Sequence, residues 1–275
     1  MPLYKPSELR EFLQSIGADP SRALSQNFLI DGNIIRKTVT LAEVKAGDSV
    51  LEIGPGPGAL TEALLETGAN VIAVEKDKRL ATALERLQNG RLRVINDDIL
   101  TVNLEEILPK GTKVVANLPY SLTSPILGRL LPSHHLIETV VVMVQKEVAK
   151  RLCAKAGTKD FSSLTLFVNF HSKIKSSFDV GRRCFYPAPK VDSAVVRMDL
   201  NSPPALSDTD RFWKLIKTSF NQRRKMMRAS LKELYPAKTV EGALIDIKTA
   251  PTSRPEQLSL DKFIALFEKL ESLLN

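Results

Sequence analysis

Between Asp48 and Val144 the chain alternates short apolar runs with amphipathic stretches. The runs "SVLEI", "NVIAVE", "LRVI", "KVVAN" and "TVVVMV" have the length and β-branched content of buried strands, and the segments between them repeat apolar positions at helical spacing. This rhythm predicts βαβ units, hence an α/β fold with a mostly parallel sheet and helices on both faces. Two helical segments come first, "SELREFLQSIG" and "DGNIIRKTVTLAEV", the second opened by a capping residue, Asp31. After Lys190, "VDSAVVRMDL" alternates well enough to be a last strand. The pattern then changes. "NSPPALSD" at 201–208 carries two consecutive prolines, which disfavour helix in the residues before them, and reads as a linker. Beyond it the pattern is helical to the end: Leu260, Phe263, Ile264, Phe267 and Leu270 recur at three- to four-residue spacing, after a possible capping box at Ser253 and Glu256. The expected organisation is a sheet domain over 1–200, a linker over 201–207 and a small all-helical domain over 208–275.

Composition narrows the class. With 275 residues, 43% apolar and 25% charged, the chain can bury a sizeable core and is not a disordered polymer. A net charge of +8 makes a polyanion the first partner to consider. Cys153 and Cys184 are the only cysteines and form no CxxC, and His134, His135 and His171 lack metal-ligand spacing. Neither a disulfide framework nor a metal site is expected, and a cytoplasmic location follows from the cysteine usage. The N-terminus has no apolar signal region and the apolar run around Val140 to Val144 is far too short to span a bilayer, so no membrane role is expected. The positive charge is concentrated: "KTSFNQRRKMMRASLK" holds Lys217, Arg223, Arg224, Lys225, Arg228 and Lys232 with no acidic residue. Unrelieved like charges repel, so a phosphate-binding face is the expected role of this stretch. "QKEVAKRL" places Lys146, Lys150 and Arg151 on a helix that reads equally well as a solvated face.

Candidate chemistry lies at the carboxyl ends of the strands. "LEIGPGPGAL" follows the first core strand and opens a helix, which puts Gly54, Gly56 and Gly58 where parallel sheets bind ligands. Glu75 closes the next strand about 20 residues on and is placed to accept from a ribose diol. This loop also satisfies the dinucleotide fingerprint, so alone it does not separate a nicotinamide enzyme from an adenosyl-methionine enzyme. The third strand end, "VINDDIL", brings Asp97 and Asp98 to the same edge, with Asp98 the better acceptor for an exocyclic adenine amine because Asp97 turns more easily to solvent. The strand "KVVAN" runs into "NLPY" at 117–120. An adenine amino nitrogen is a poor nucleophile because its lone pair is delocalised. Two carbonyl acceptors, Asn117 and the backbone of Leu118, would favour the pyramidal nitrogen that methyl transfer needs. Pro119 restricts Leu118 to extended geometry, and Tyr120 offers a face on which a flipped base can stack.

"RALSQNFLID", "EIGPGPGALT", Glu75, "DDIL", "NLPY", "QKEVAKRL", "FYPAPKVDSAV" and "FNQRRKMMRASL" occur in this order, and with them the whole chain resembles the KsgA-type ribosomal RNA adenine dimethyltransferases. The resemblance implies a Rossmann-like seven-stranded methyltransferase sheet followed by a small helical RNA-binding domain. It implies S-adenosyl-methionine as donor, and as acceptors two adjacent adenosines near the 3' end of small-subunit ribosomal RNA, each taken to N6,N6-dimethyladenosine during subunit assembly by a monomeric enzyme. By position in the motifs, Gln26 and Asn27 lie over the donor, Gly54 to Gly58 cradle its methionine part and Glu75 holds its ribose, with Leu29, Glu52, Lys76, Ile99 and Asn117 also expected to bind it. Asp98 holds the donor's adenine amine, while Asn117, Leu118 and Tyr120 hold the target base against Phe185. Arg223, Arg224, Lys225 and Arg228 are the expected RNA contacts. The chain departs from the usual pattern at Ser25, where glycine is common, at Ser162 and Ser163, and in "VGRRC", which is more basic than usual. Two rivals remain in view: a large-subunit adenine dimethyltransferase with the same corner, and a non-catalytic ribosome-assembly factor on the same fold.

Overall fold

The computed structural model describes residues 3–21, 26–222 and 224–273; Ser25 and Arg223 lie outside the described residues. The chain opens with α1 (Pro6–Ser15), β1 (Phe28–Leu29) and α2 (Gly32–Leu41), whose first turn is capped by Asp31 through the amides of Asn33 and Ile34. The alternating region folds as β2 (Ser49–Ile53), α3 (Ala59–Glu66), β3 (Asn70–Val74), α4 (Lys78–Ala83), β4 (Leu92–Ile95), α5 (Leu104–Ile107), β5 (Thr112–Asn117), α6 (Thr123–Leu130) and β6 (Ile137–Gln145). There follow α7 (Lys146–Leu152), α8 (Ser163–His171), β7 (Ser172–Val180), β8 (Phe185–Tyr186) and β9 (Ser193–Leu200). The chain ends in α9 (Thr209–Asn221), α10 (Met227–Ser230), α11 (Ala237–Asp246) and α12 (Leu260–Ser272).

Seven strands form one sheet in the order β4-β3-β2-β5-β6-β9-β7, with β1 and β8 paired separately. The five strands β4 to β6 are parallel and β9 runs against both its neighbours. Strands β5 and β6 are almost continuously apolar because helices cover both sides of the sheet's centre: Val114, Val115 and Val140 to Val142 are fully buried. Strand β7 is the element that the hydrophobic pattern did not announce. Its sequence, "SKIKSSFDV", has a weak alternation because it is an edge strand with mostly exposed side chains, including Lys173.

The chain divides into two compact units, one of residues 1–149 and 171–202, the other of 150–170 and 203–275. The second unit therefore takes in a segment that the prolines at 203–204 do not mark. Phe161, Leu166 and Phe170 share a core with Phe212, Leu215, Phe263 and Phe267, so long-range packing decides where this segment belongs. The rings of Phe170 and Phe212 lie 5.7 Å apart, and those of Phe212 and Phe267 meet edge to face at 5.5 Å. Helix α12 is capped by Ser259, whose hydroxyl accepts from the Lys262 amide, and Ser253 is instead a buried residue ahead of a single turn at Pro255–Gln257. The basic stretch is likewise not one helix. Helix α9 stops at Asn221, and Arg224 and Lys225 sit exposed in the connection to α10.

Phe267→Ala removes a fully buried ring and is expected to cost about 3 to 5 kcal/mol of stability in the helical unit. Trp213, the only tryptophan of the chain, packs on the same core, so urea denaturation followed by its fluorescence reads that unit directly. A midpoint equal to that of the unsubstituted chain would show that the ring is not buried in solution.

Candidate functional site

Strands β2 to β5 share one direction, so the loops that leave them gather at one edge of the sheet. The loop after β2 turns through Gly54, Gly56 and Gly58, all at positive φ. At Gly56, with φ 57, a Cβ would also come within 2.9 Å of the Phe28 ring, so glycine is required both by the turn and by the aromatic roof. The Gly56 amide donates to Glu75 Oε2 at 3.0 Å and the Asp77 amide to Glu75 Oε1 at 2.8 Å. These two bonds fix the carboxylate at the end of β3 and leave each oxygen with further acceptor capacity.

A cavity of about 260 Å³ opens over this edge, far more than the ~30 Å³ of one water and on the scale of a small organic ligand. Gln26, Asn27, Leu29, Glu52, Gly54, Gly56, Glu75, Lys76, Asp98, Ile99, Asn117, Leu118 and Tyr120 all line it. Gly58 is set back, its backbone packed against Leu84 and Leu87 at the start of α3. Phe28, carried by the same short "QNFL" segment as Gln26, also lines the cavity and was not singled out from the sequence.

The acidic residues of the cavity are tuned differently. Glu52 is 1% exposed, and its Oε2 has no hydrogen-bond partner among the described residues. Burial pushes its carboxyl up to about 8; the Thr61 hydroxyl acts the other way and the charge of Glu75 adds to the rise. Glu75 is also pushed up by burial, against the pull of the Asp77 and Gly56 amides. Asp98 is held low by the Lys76 ammonium, 2.9 Å from Oδ2, and by the Leu100 amide on Oδ1. Asp97 is exposed and accepts from the Asp98 amide.

On the far side of the cavity, Asn117 ends β5 and donates Nδ2 to the Asn27 carbonyl at 2.9 Å. That bond assigns the amide nitrogen to the roof and leaves Oδ1 unengaged among the described residues. Leu118 is anchored by its amide to the Met143 carbonyl at 3.1 Å, with its side chain buried, and Pro119 follows at φ −59. Tyr120 places its hydroxyl 2.6 Å from Ser193 Oγ, and burial raises its phenol above the usual value. Ser193 belongs to the quoted "FYPAPKVDSAV" block but carried no expectation of its own.

Phe185 departs from expectation. It is 2% exposed, does not line the cavity and packs in the core with Leu29. Strand alternation is the reason: β8 pairs Phe185 with Leu29 and Tyr186 with Phe28, so Phe185 faces the sheet core while Tyr186 joins Phe28 beside α1. In the helical unit, Arg224 and Lys225 are exposed as a phosphate contact requires, but Arg228 is half-buried and ion-paired with Glu241. Among the described residues no three His, Cys, Asp or Glu side chains converge as metal ligands.

The cavity fits S-adenosyl-methionine on its own chemistry. It offers a buried carboxyl at Glu52 with one oxygen unpartnered among the described residues, a carboxylate fixed by backbone amides at Glu75, a second carboxylate at Asp98 and open space over Gly54. One consequence is measurable without any ligand. The folded chain keeps a proton on Glu52 that the unfolded chain releases, so the stability of the neutral carboxyl is complete below pH 4.5 and lost as pH rises through about 8. Glu52→Gln is expected to abolish that loss, on the order of a few kcal/mol, so that the variant gains on the parent between pH 5 and 9 in urea titrations. Parallel pH profiles would mean that Glu52 is ionised in the folded protein.

Comparisons with known proteins agree with this geometry. The family model for ribosomal RNA adenine dimethylase matches residues 20–272. A ribosomal RNA small subunit methyltransferase A from Protochlamydia amoebophila (strain UWE25) is 51% identical over 280 residues, 99% of each chain. Among solved structures, a dimethyladenosine transferase from Plasmodium falciparum superposes with a TM-score of 0.77 at 27% identity, over 89% of this chain and 98% of the other. The 23S rRNA methyltransferase ErmE gives a TM-score of 0.69 at 31% identity, over 89% of this chain and 100% of the other. A sheet edge that offers a nucleoside cradle beside an asparagine-bearing corner thus coincides with a match along nearly the whole chain, and the chain belongs to the ribosomal RNA adenine dimethylase family.

Proposed function

We propose that this chain transfers methyl groups from S-adenosyl-methionine to N6 of two adjacent adenosines near the 3' end of small-subunit ribosomal RNA, giving N6,N6-dimethyladenosine while the subunit assembles. The bond from Asn117 Nδ2 to the Asn27 carbonyl carries the reading, because it leaves Oδ1 as the free end of the amide at the cavity wall. The donor, when bound, supplies a methyl group on a positively charged sulfur. Gln26, Asn27 and Leu29 roof it, Glu52, Gly54 and Gly56 take its amino-acid end, Glu75 and Lys76 its ribose, and Asp98 and Ile99 its adenine.

The remaining work belongs to the corner. Oδ1 of Asn117 and the carbonyl of Leu118 accept the amine hydrogens and draw the nitrogen towards a pyramidal shape, in which its lone pair can form the new N–C bond as the methyl–sulfur bond breaks and leaves its electrons on a neutral thioether. The nitrogen becomes acidic once alkylated and releases its proton to water, so no strong general base is needed. Tyr120 stacks on the extruded base, with Pro119 setting its approach. A singly methylated amine still presents one hydrogen to the two carbonyls and remains a substrate. Among the described residues no helix is long and apolar enough to cross a membrane. A cytoplasmic enzyme acting on the assembling subunit accords with this. The large-subunit rival is supported by the likeness to ErmE, but at 31% identity against 51% for the small-subunit relative. Primer extension across small-subunit RNA after incubation with protein and donor tests the reading: stops at two neighbouring adenosines are expected, and stops on large-subunit RNA alone, or none at all, would overturn it.

Asn117→Ala is expected to slow methyl transfer roughly 100-fold or more at saturating RNA while RNA affinity barely moves. Single-turnover rates beside filter-binding affinities check this. A wild-type rate would remove the carbonyl-acceptor mechanism.

The exposed pair in the connection between α9 and α10 gives the opposite behaviour. Replacing Arg224 and Lys225 together by glutamine is expected to weaken RNA binding and to lower the slope of log affinity against log salt by about 2, with turnover recovered at saturating RNA. An unchanged slope would make this connection a solvated surface.

A further inference from the structure

Tyr120 stands at the first position of a three-residue turn, Tyr120–Leu122, so its backbone is held by a short irregular element rather than by a long helix or strand. Rotation of its side chain is limited at one atom: the hydroxyl lies 2.6 Å from Ser193 Oγ, at the short end of the O–H···O range. Ser193 is fully buried at the start of β9 and is paired on both sides, with Gln145 on β6 and with Val180 on β7. Three strands therefore fix its backbone and the face of the sheet on which its side chain lies. The residues that follow, Ala194, Val195 and Val196, are apolar and buried, so packing alone does not call for a hydroxyl here. Tyr120 is half-buried and lines the open cavity, where water could satisfy its phenol. The bond to Ser193 thus supplies direction.

We propose that Ser193 is a positioning residue of the reaction, whose hydroxyl fixes the direction of the Tyr120 ring axis and through it the placement of the acceptor adenine. This rests on the proposed stacking of the acceptor base on Tyr120. Methyl transfer needs the amine in line with the donor's methyl–sulfur bond, and a ring free to swing about its Cα–Cβ bond lets the stacked base shift away from that line. The two bonds that shape the corner come from different places: the Asn27 carbonyl, just ahead of β1, orients Asn117, and Ser193 on β9 orients Tyr120. The acceptor corner is therefore held between two elements that are far apart in sequence.

The test is a double-mutant cycle with single-turnover methylation at saturating RNA. Ser193→Ala is expected to slow transfer by about 10- to 100-fold, with the donor's dissociation constant and the melting temperature close to those of the parent. Tyr120→Phe, which keeps the ring and loses only its anchor, is expected to show the same loss. The double variant should be no slower than either single one, because both remove the same bond. Ser193→Thr, which keeps the hydroxyl, should recover most of the rate. A Ser193→Ala rate equal to the parent's, or losses that multiply in the double variant, would overturn the proposal. Should the parent methylate large-subunit instead of small-subunit RNA, the substrate assignment fails, and the same cycle on that RNA still decides the role of Ser193.

Discussion

Parallel strands must end on a common edge, and this single constraint generates the site. Ile53, Val74 and Ile95 stand level across β2, β3 and β4, so the glycine loop, Glu75 and the loop bearing Asp98 leave the sheet side by side. Leu51 pairs with Val114, and the same register carried three residues forward brings Asn117 level with Gly54. Donor cradle and acceptor corner are therefore neighbours because of strand register, before any side chain is considered. The cost is electrostatic. Two carboxyls at this edge, Glu52 and Glu75, are pushed up by burial, and backbone amides and a neutral protonation state, in place of counter-ions, are what make the arrangement tolerable.

The fold was legible where burial is uniform. A central strand covered on both faces writes itself into the sequence as a continuous apolar run, and β2, β3, β5 and β6 could be read from such runs. Strand β7 could not, because an edge strand with serines and lysines has too little buried surface to leave a period. Helix starts were legible when one side chain decides them, as with Asp31, and misleading when two serines compete: Ser253 is followed by Pro255 and only one turn, whereas Ser259 caps α12.

The site was legible to the extent that chemistry is local. Gly56 and Glu75 are bound to each other, so their spacing in the chain reports their contact. Phe185 was misplaced because its face depends on the alternation of a two-residue strand, which a motif does not encode. Arg228 looked like one more cation in an unopposed run because its partner, Glu241, lies in another helix. Ser193 was visible in the sequence and silent, since nothing near it announces a phenol 73 residues away.

The passage of the chain between its two units, at 149/150, 170/171 and 202/203, bears on how such a protein can change over time. A unit assembled from two separated segments is not a cassette. A single recombination junction at the prolines would carry α9 to α12 away and leave Phe161, Leu166 and Phe170 behind without their core partners. The helical unit can be gained, lost or exchanged only together with the segment inserted ahead of β7. Diversification of this architecture is thereby steered towards surface substitution on a retained pair of units and away from domain shuffling.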